Sequence, residues 1–502
     1  MIKPKIMFLI TITILGLSIG YGAFNAELSI SGEATVNPPP EYKEAILNGA
    51  EPKLEDPLIP ITIENDGTVK KADITSKWYS YEEKRWANAI ILKNENKEYV
   101  SGEIIPEEEI ESYFVWIPKY SYKLWDLGNY TSYTGIDESK VHSIEIRFGT
   151  INTSDSVSGE CTTPGISGES GKCEVGDYMT HPAFLVFNTT GIWVGKFETG
   201  YSGATNQSEA QKNTTEVDKV IVKPNVYSWR SIQVANAFTV SYNYQRELES
   251  HMMKNTEWGA VAYLSHSIYG ISDSIRINNN SSYKTGYAAV SEPTVDWPEY
   301  KGYGTSSSVT QPYNTTTGYL ASTTGNITGV YDVSGGSHEY VMGVQVDNNG
   351  LPISGRHNIY NSGFNGTLGC PTCDIGAVSG VDSSIASITN SIDLPSSKYY
   401  DSYKVNSNGN MINRVLGDAT GEMGPFGIIQ TTGTTEQCGE SGICTRNISS
   451  WYSDNSWFVY SSYPWFLRGG YYDYGSGAGA FYFSSHYGHA DSSISFRLVL
   501  CL

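Results

Sequence analysis

Short runs of aromatic and β-branched residues, set apart by long stretches rich in glycine, serine, threonine, asparagine and tyrosine, constrain this chain more than any other feature. Tyr113-Phe114-Val115-Trp116-Ile117-Pro118 and Gly191-Ile192-Trp193-Val194-Gly195-Lys196-Phe197 have the apolar continuity of buried strands. Helical spacing is confined to two places, around Val234, Ala237 and Phe238 and again over 256–264. Residues 270–325 and 343–450 carry no clear period, and stretches of that length in a folded domain are commonly functional or decorative. With 37 Tyr and 51 Gly in 502 residues and only 17% charged, the composition suits strands, tight turns and aromatic contact surfaces. It excludes a long helical bundle. The predicted class is α+β with long irregular loops. A net charge of −20 argues against a nucleic-acid partner, because a phosphate backbone selects basic surfaces. An aromatic content of 13% excludes a disordered acidic chain.

The first residues set the compartment. Lys3 and Lys5 precede an uncharged run over 6–26, so residues 1–26 are expected to be a signal peptide or a membrane anchor. At about 20 residues the run is near the length that spans a bilayer. The protein is therefore expected outside the cell, either secreted or held at the surface through this N-terminal helix. Six of seven cysteines agree, falling into close pairs in loop-like surroundings: Cys161 with Cys173, Cys370 with Cys373, Cys438 with Cys444. Local disulfides are the expectation. Cys370-Pro-Thr-Cys373 also has the spacing of half a zinc site, but no two further ligands stand nearby. Cys501 is left over and is expected to be buried in the last strand. Pro38-Pro39-Pro40 marks a stiff spacer. Residues 27–105, most charged over about 41–105 and with strand candidates at 58–63 and 89–92, are expected to form a β-rich stalk module. Residues 106–502 then form the head. Phe496, Leu498 and Leu500 alternate as a core strand, which leaves attachment to the N-terminus.

Five segments of the head, in order, resemble the formylglycine-generating-enzyme/sulfatase-modifying domain. Gly191-Ile192-Trp193-Val194-Gly195-Lys196-Phe197-Glu198-Thr199 resembles its opening strand, and Ser228-Trp229 with Ala235 and Ala237 resembles a following helix. Asn255-Thr256-Glu257-Trp258-Gly259-Ala260 and the segment from Gly329 to Val341 (with Ser334-Gly335-Gly336-Ser337-His338-Glu339-Tyr340) follow. Leu467-Arg468-Gly469-Gly470 with Ser495-Phe496-Arg497-Leu498-Val499 closes the series. The resemblance spans 191–502 and implies a C-type-lectin-like fold. By their own chemistry, Glu257 and Glu339 lie beside aromatics and are expected to accept hydrogen bonds rather than do acid–base work. Arg468 and Arg497 are the natural planar donors for such carboxylates. Trp258 and Phe496 are expected in the core, and Gly469 and Gly470 in a turn that needs positive φ or close backbone approach.

The oxidase activity that the resemblance implies needs a cysteine pair just after Arg-Gly-Gly to capture Cu(I). That stretch is Tyr471-Tyr472-Asp473-Tyr474-Gly475-Ser476-Gly477, without cysteine. His486 and His489 are three apart, but the loop sequence offers no nearby third ligand, so neither a metal site nor a cofactor is expected. Structural calcium is not readable from the sequence. The domain is expected not to be an enzyme.

The terminal segment points elsewhere. Residues 471–495 consist of five Tyr, six Ser, two His, two Asp, four Gly, three Ala, two Phe and one Ile. Tyr gives large rigid contact area and Ser and Gly give adaptable hydrogen bonding, as in antibody recognition loops. Ala478-Gly479-Ala480-Phe481-Tyr482-Phe483 is expected to be a strand with Phe481 and Phe483 inward and Tyr482 outward. The arrangement 468–497 resembles the variable region of target proteins of diversity-generating retroelements. That resemblance implies NNC codons, and every residue from 471 to 495 belongs to the set such codons encode. The implied variable, ligand-facing positions are Tyr472, Asp473, Tyr474, Ser476, Tyr482, Ser484, His486, Tyr487, His489, Asp491 and Ser493. The expected function is non-enzymatic adhesion or recognition of a protein or glycan on another cell or particle. A fixed structural surface protein and a formylglycine-generating-type oxidase are the alternatives.

Overall fold

The apolar runs become strands of two sheets. This computed structural model describes residues 50–123, 144–149, 177–279, 283–286, 311–350, 362–364, 378–381, 391–407, 413, 415–420, 454–460 and 462–502. The chain divides into two compact units, Met1–Glu41 and Tyr42–Leu502, the first of which lies outside the described residues. The apolar run 6–26 and all six paired cysteines lie outside them as well. Among the described residues no helix is long and apolar enough to cross a membrane.

In chain order the strands of the two main sheets are β1 (Ile59–Ile63), β2 (Val69–Lys71), β3 (Asn88–Leu92), β4 (Ile110–Pro118), β5 (Gly191–Gly195) and β6 (His251–Met252). They continue with β7 (His338–Asp347), β8 (Asp401–Val405), β9 (Trp465–Gly469), β10 (Gly479–His486), β11 (Ile494–Phe496) and β12 (Leu498–Leu500). The longer helices are α1 (Val234–Tyr244) and α2 (Asn255–Ser265), both where apolar spacing predicts them. The fold is thus α+β, mostly strands with few helices. The first sheet runs β6-β12-β5-β4-β3-β1-β2, antiparallel throughout. The second runs β8-β7-β9-β10, with β11 also paired to β7. A smaller sheet joins Tyr120–Lys123 to Ile146–Phe148 and Tyr178–Thr180.

The described part of the region expected to be a stalk is not separate from the head. From residue 58 onward it supplies three of the seven strands of the first sheet, β3 pairing with β4 over Asn88↔Val115 to Leu92↔Ile110. The reason is burial. Ala89, Ile90, Ile91 and Leu92 are all in the core, and strands this short cannot cover their own apolar faces. Of the charged residues that suggested a stalk, Asp66, Glu82, Glu83 and Lys84 sit in turns between these strands, while Lys70 and Lys71 lie in β2.

At the other end of the chain β12 lies between β5 and β6, with Val499 opposite both Val194 and His251. Phe496, Leu498 and Leu500 are buried as expected, and Cys501 beside them is a buried free thiol. One residue, Arg497, separates β11 of the second sheet from β12 of the first, so the two sheets meet there.

Every residue of α2 is buried, as required of a helix enclosed on all sides. Its first turn is closed by Glu257, whose Oε2 accepts the Lys254 N–H at 2.8 Å. Gly259 has no room for a side chain, since a Cβ would overlap the Gly417 carbonyl. We therefore expect Gly259→Ala to cost about 1–3 kcal/mol through overpacking, read from urea denaturation midpoints. An unchanged midpoint would contradict this packing.

Candidate ligand-binding surface

The surface is built on β9 and β10, which pair from Trp465↔His486 to Arg468↔Phe483. Beneath them lies Trp258 of α2, whose Nε1 donates to the Ala480 carbonyl at 2.7 Å. The guanidinium carbons of Arg468 and Arg497 stand 5.7 and 6.0 Å from its ring, within cation–π range. Gly469 and Gly470 turn the chain out of β9 with φ of 81° and 80°, and a Cβ on Gly470 would come within 2.7 Å of Ala478. Both requirements that sequence chemistry assigned to this pair are met.

Burial divides the eleven expected ligand-facing positions. Asp473, Tyr474 and Ser476 are exposed, Tyr474 by 45%. Ser484, His486, Tyr487, His489, Asp491 and Ser493 are half-buried. Tyr472 and Tyr482 are instead buried, at 4% and 1% exposure. For Tyr482 the expectation of an outward strand position fails because both faces of β10 are covered. Phe481 and Phe483 pack toward Tyr263 and Phe458, while on the opposite face the ring of His338 stacks on Tyr482 at 5.5 Å and Tyr474 meets it edge-on at 5.9 Å. Tyr472 is drawn in by its backbone N–H, which donates to Gly336 O at 3.0 Å.

Two aromatic groups therefore lie side by side. In the first, buried His338 stacks on Tyr471 and Tyr482 and takes Tyr474 edge-on at 5.1 Å. Its pKa is pushed down to about 3, by burial first and then by His486, so it stays a neutral aromatic spacer. In the second, the Tyr340 hydroxyl donates to His489 O at 2.8 Å and also contacts His486 Nδ1. Tyr487 joins through its hydroxyl, 2.6 Å from that of Tyr463, with the rings 4.1 Å apart. Burial, followed by His489, pushes the His486 pKa down to about 4.

Sequence reasoning missed His338 and Tyr340 as parts of this surface. The signal was present: alternate residues of one strand share a face, so both lie opposite Glu339.

The loop after β10 is tied down by its backbone. Val234 N–H donates to Gly488 O at 3.1 Å, and Ser231 N–H to Asp491 O at 2.9 Å. Buried Arg230 donates to Ser492 O. Asp491 Oδ1 accepts from both the Ser493 N–H (2.8 Å) and the Ser493 hydroxyl (2.6 Å). Burial raises the Asp491 pKa, but those two bonds and the neighbouring His486 and His489 outweigh it, and the net shift is downward.

This geometry corrects one reading of the sequence. His486 and His489 do have a nearby third group, because Asp491 places its carboxylate so that one ligand atom of each residue lies within 4.8 Å of the others. A second such group, His251, Glu257 and Cys501, is fully enclosed. There both imidazole nitrogens are engaged, Nδ1 with Glu249 O at 2.7 Å and Nε2 with Glu257 at 2.9 Å, so the group reads as a structural staple.

The remaining framework residues behave largely as their chemistry suggested. Arg497 grips Glu339 through Nε at 2.9 Å and through a second terminal nitrogen. Arg468 differs from expectation: its terminal nitrogens donate to the carbonyls of Asp418, Ala419 and Ala480 and to the Asn255 side chain. Nearby, Glu198 and Asp332 are buried beside Glu339, a cluster that the sequence did not flag. Compared with protein-family models and with curated proteins, the chain matches none.

Proposed function

We propose that this chain is a surface-displayed, non-enzymatic recognition protein with a C-type-lectin-like head, binding a protein or glycan on another cell or particle. Export through residues 6–26 is part of the proposal. One observation carries it: nine of the eleven residues drawn from the restricted terminal set reach solvent, on the end of β10 and on the turns flanking it, above a strand, β9, that is wholly buried. Rigid tyrosines on an immobile base lose little entropy on binding. The lectin-like fold is supported by the order of the five segments and by the adjacency of the first and last of them, β5 beside β12. Hypervariability of the segment is supported by its composition alone, and the buried Tyr472 and Tyr482 then act as framework rather than contact positions.

The test uses the full chain, fluorescently labelled, against arrayed glycans and intact cells. Replacing Asp473, Tyr474 and Ser476 together by alanine is expected to weaken captured binding at least ~10-fold, since a central aromatic anchor dominates such surfaces. Stability should change by no more than about 1 kcal/mol, these being surface positions. Identical binding by the triple variant would refute the assignment. At the gene level, NNC codons at the terminal positions with a near-identical template nearby are expected, and mixed codons with no template would remove the hypervariable reading.

A further inference from the structure

We infer that His486, His489 and Asp491 form a three-ligand site for a divalent transition metal, zinc foremost, at the rim of the terminal surface. Two imidazoles and a carboxylate suit zinc and its neighbours, whereas calcium and magnesium select oxygen-only sites. The three ligand atoms already lie within 4.8 Å of one another, and zinc bond lengths of roughly 2.0–2.2 Å require them to close further.

The surroundings prepare each ligand. The single Tyr340 hydroxyl proton goes to His489 O, so the Tyr340 oxygen accepts from His486 Nδ1–H. That fixes the tautomer and leaves the His486 Nε2 lone pair for a metal, the outer-shell role that such partners play. At Asp491, Ser493 occupies Oδ1 twice, which orients the carboxylate and leaves Oδ2 open. His489 lies with its ring 4.6 Å from that of His486. The backbone bonds to Ser231 and Val234 hold the loop, so little ordering is lost when the metal enters. All three residues are half-buried, which keeps a path of entry for an ion. Three protein ligands leave a fourth position open. That position suits a carboxylate or imidazole presented by whatever binds the surface. The site does not depend on the recognition function, because metal binding is read without any partner.

The experiment is zinc titration of the full, untagged chain by calorimetry, with cobalt(II) as a spectroscopic substitute. The wild type should bind one zinc equivalent more than His489→Ala and Asp491→Asn. The second of these variants keeps the Oδ1 acceptor for Ser493, so its fold is preserved. Tyr340→Phe retains the ring and should weaken that equivalent about 10–100-fold. Excess calcium should not displace it. Equal zinc stoichiometry and affinity in the wild type and both ligand variants would overturn the inference. So would a cobalt spectrum dominated by thiolate-to-metal charge transfer, which would put the metal on cysteine.

Discussion

Arg497→Met is expected to destabilise the chain by about 3–5 kcal/mol, the cost of breaking a buried ion pair by removing one partner. Arg497 and Glu339 are both fully buried, and the guanidinium meets the carboxylate in two parallel bonds. A third bond, from Nη1 to Gly195 O at 2.7 Å, reaches β5 of the other sheet. The residue therefore ties β7 of one sheet to β5 of the next at the point where the chain crosses between them. Burial already pushes the Glu339 pKa up to about 7 against the pull of Arg497, so removing the arginine should leave Glu339 protonated. Denaturant midpoints at pH 7 would measure the loss. The double variant Arg497→Met/Glu339→Leu should recover much of it, because a well-packed apolar pair avoids the desolvation of both ions. A single variant as stable as the wild type would show that the pair is not the junction described.

Much of this framework was legible because isolated charges in apolar runs have few fates. Glu339 and Arg497 stand alone among aromatics, and pairing follows from the cost of burying either one unpaired. The helices at 234–244 and 255–265 and the closing strand follow from apolar spacing in the same way. What failed was knowledge of what covers a face. Alternation put Tyr482 opposite Phe481 and Phe483, correctly, but nothing in those six residues says that His338, more than 140 positions earlier, lies over it. The stalk boundary failed for a related reason: local charge reports turns, while membership of a sheet depends on pairings distant in sequence. Asp491 as a third ligand was hidden because His-x-x-His-x-Asp on a loop has no period from which a common face can be read.

Raising the pH from 5 to 8.5 is expected to weaken the wild type relative to Glu198→Gln by several kcal/mol, on the order of 1.4 kcal/mol per unit of the titration window. Burial pushes the Glu198 pKa from the usual 4.5 up to about 8, with the charges of Asp332 and Glu339 adding to it. The Ser228 hydroxyl and the Ser337 N–H, which both bond to the carboxylate, pull the other way without prevailing. Asp332 is itself raised by burial, against the opposing charge of Arg497. A carboxyl group whose folded pKa exceeds its unfolded value keeps a proton that the unfolded chain releases. Its effect on stability is thus absent below about 4.5, grows through the window up to about 8, and is constant above. Within that window the loss is roughly 1.4 kcal/mol per pH unit for one proton. Other buried groups titrate too. His181 and His338, pushed down to about 3 by burial, destabilise the fold as pH falls below their ordinary value. Lys196, also pushed down by burial, acts in the opposite sense to Glu198 on the alkaline side. These contributions are common to the wild type and the variant, so the difference between their unfolding free energies at pH 5 and at pH 8.5 reads Glu198 together with the carboxyls that interact with it, Asp332 and Glu339. Glutamine is uncharged at every pH and keeps one acceptor oxygen for Ser228 or Ser337. The variant should gain on the wild type steadily as pH rises. A difference that stays flat across that range would mean that the carboxylate is ionised in the folded chain, held so by the charge of Arg230.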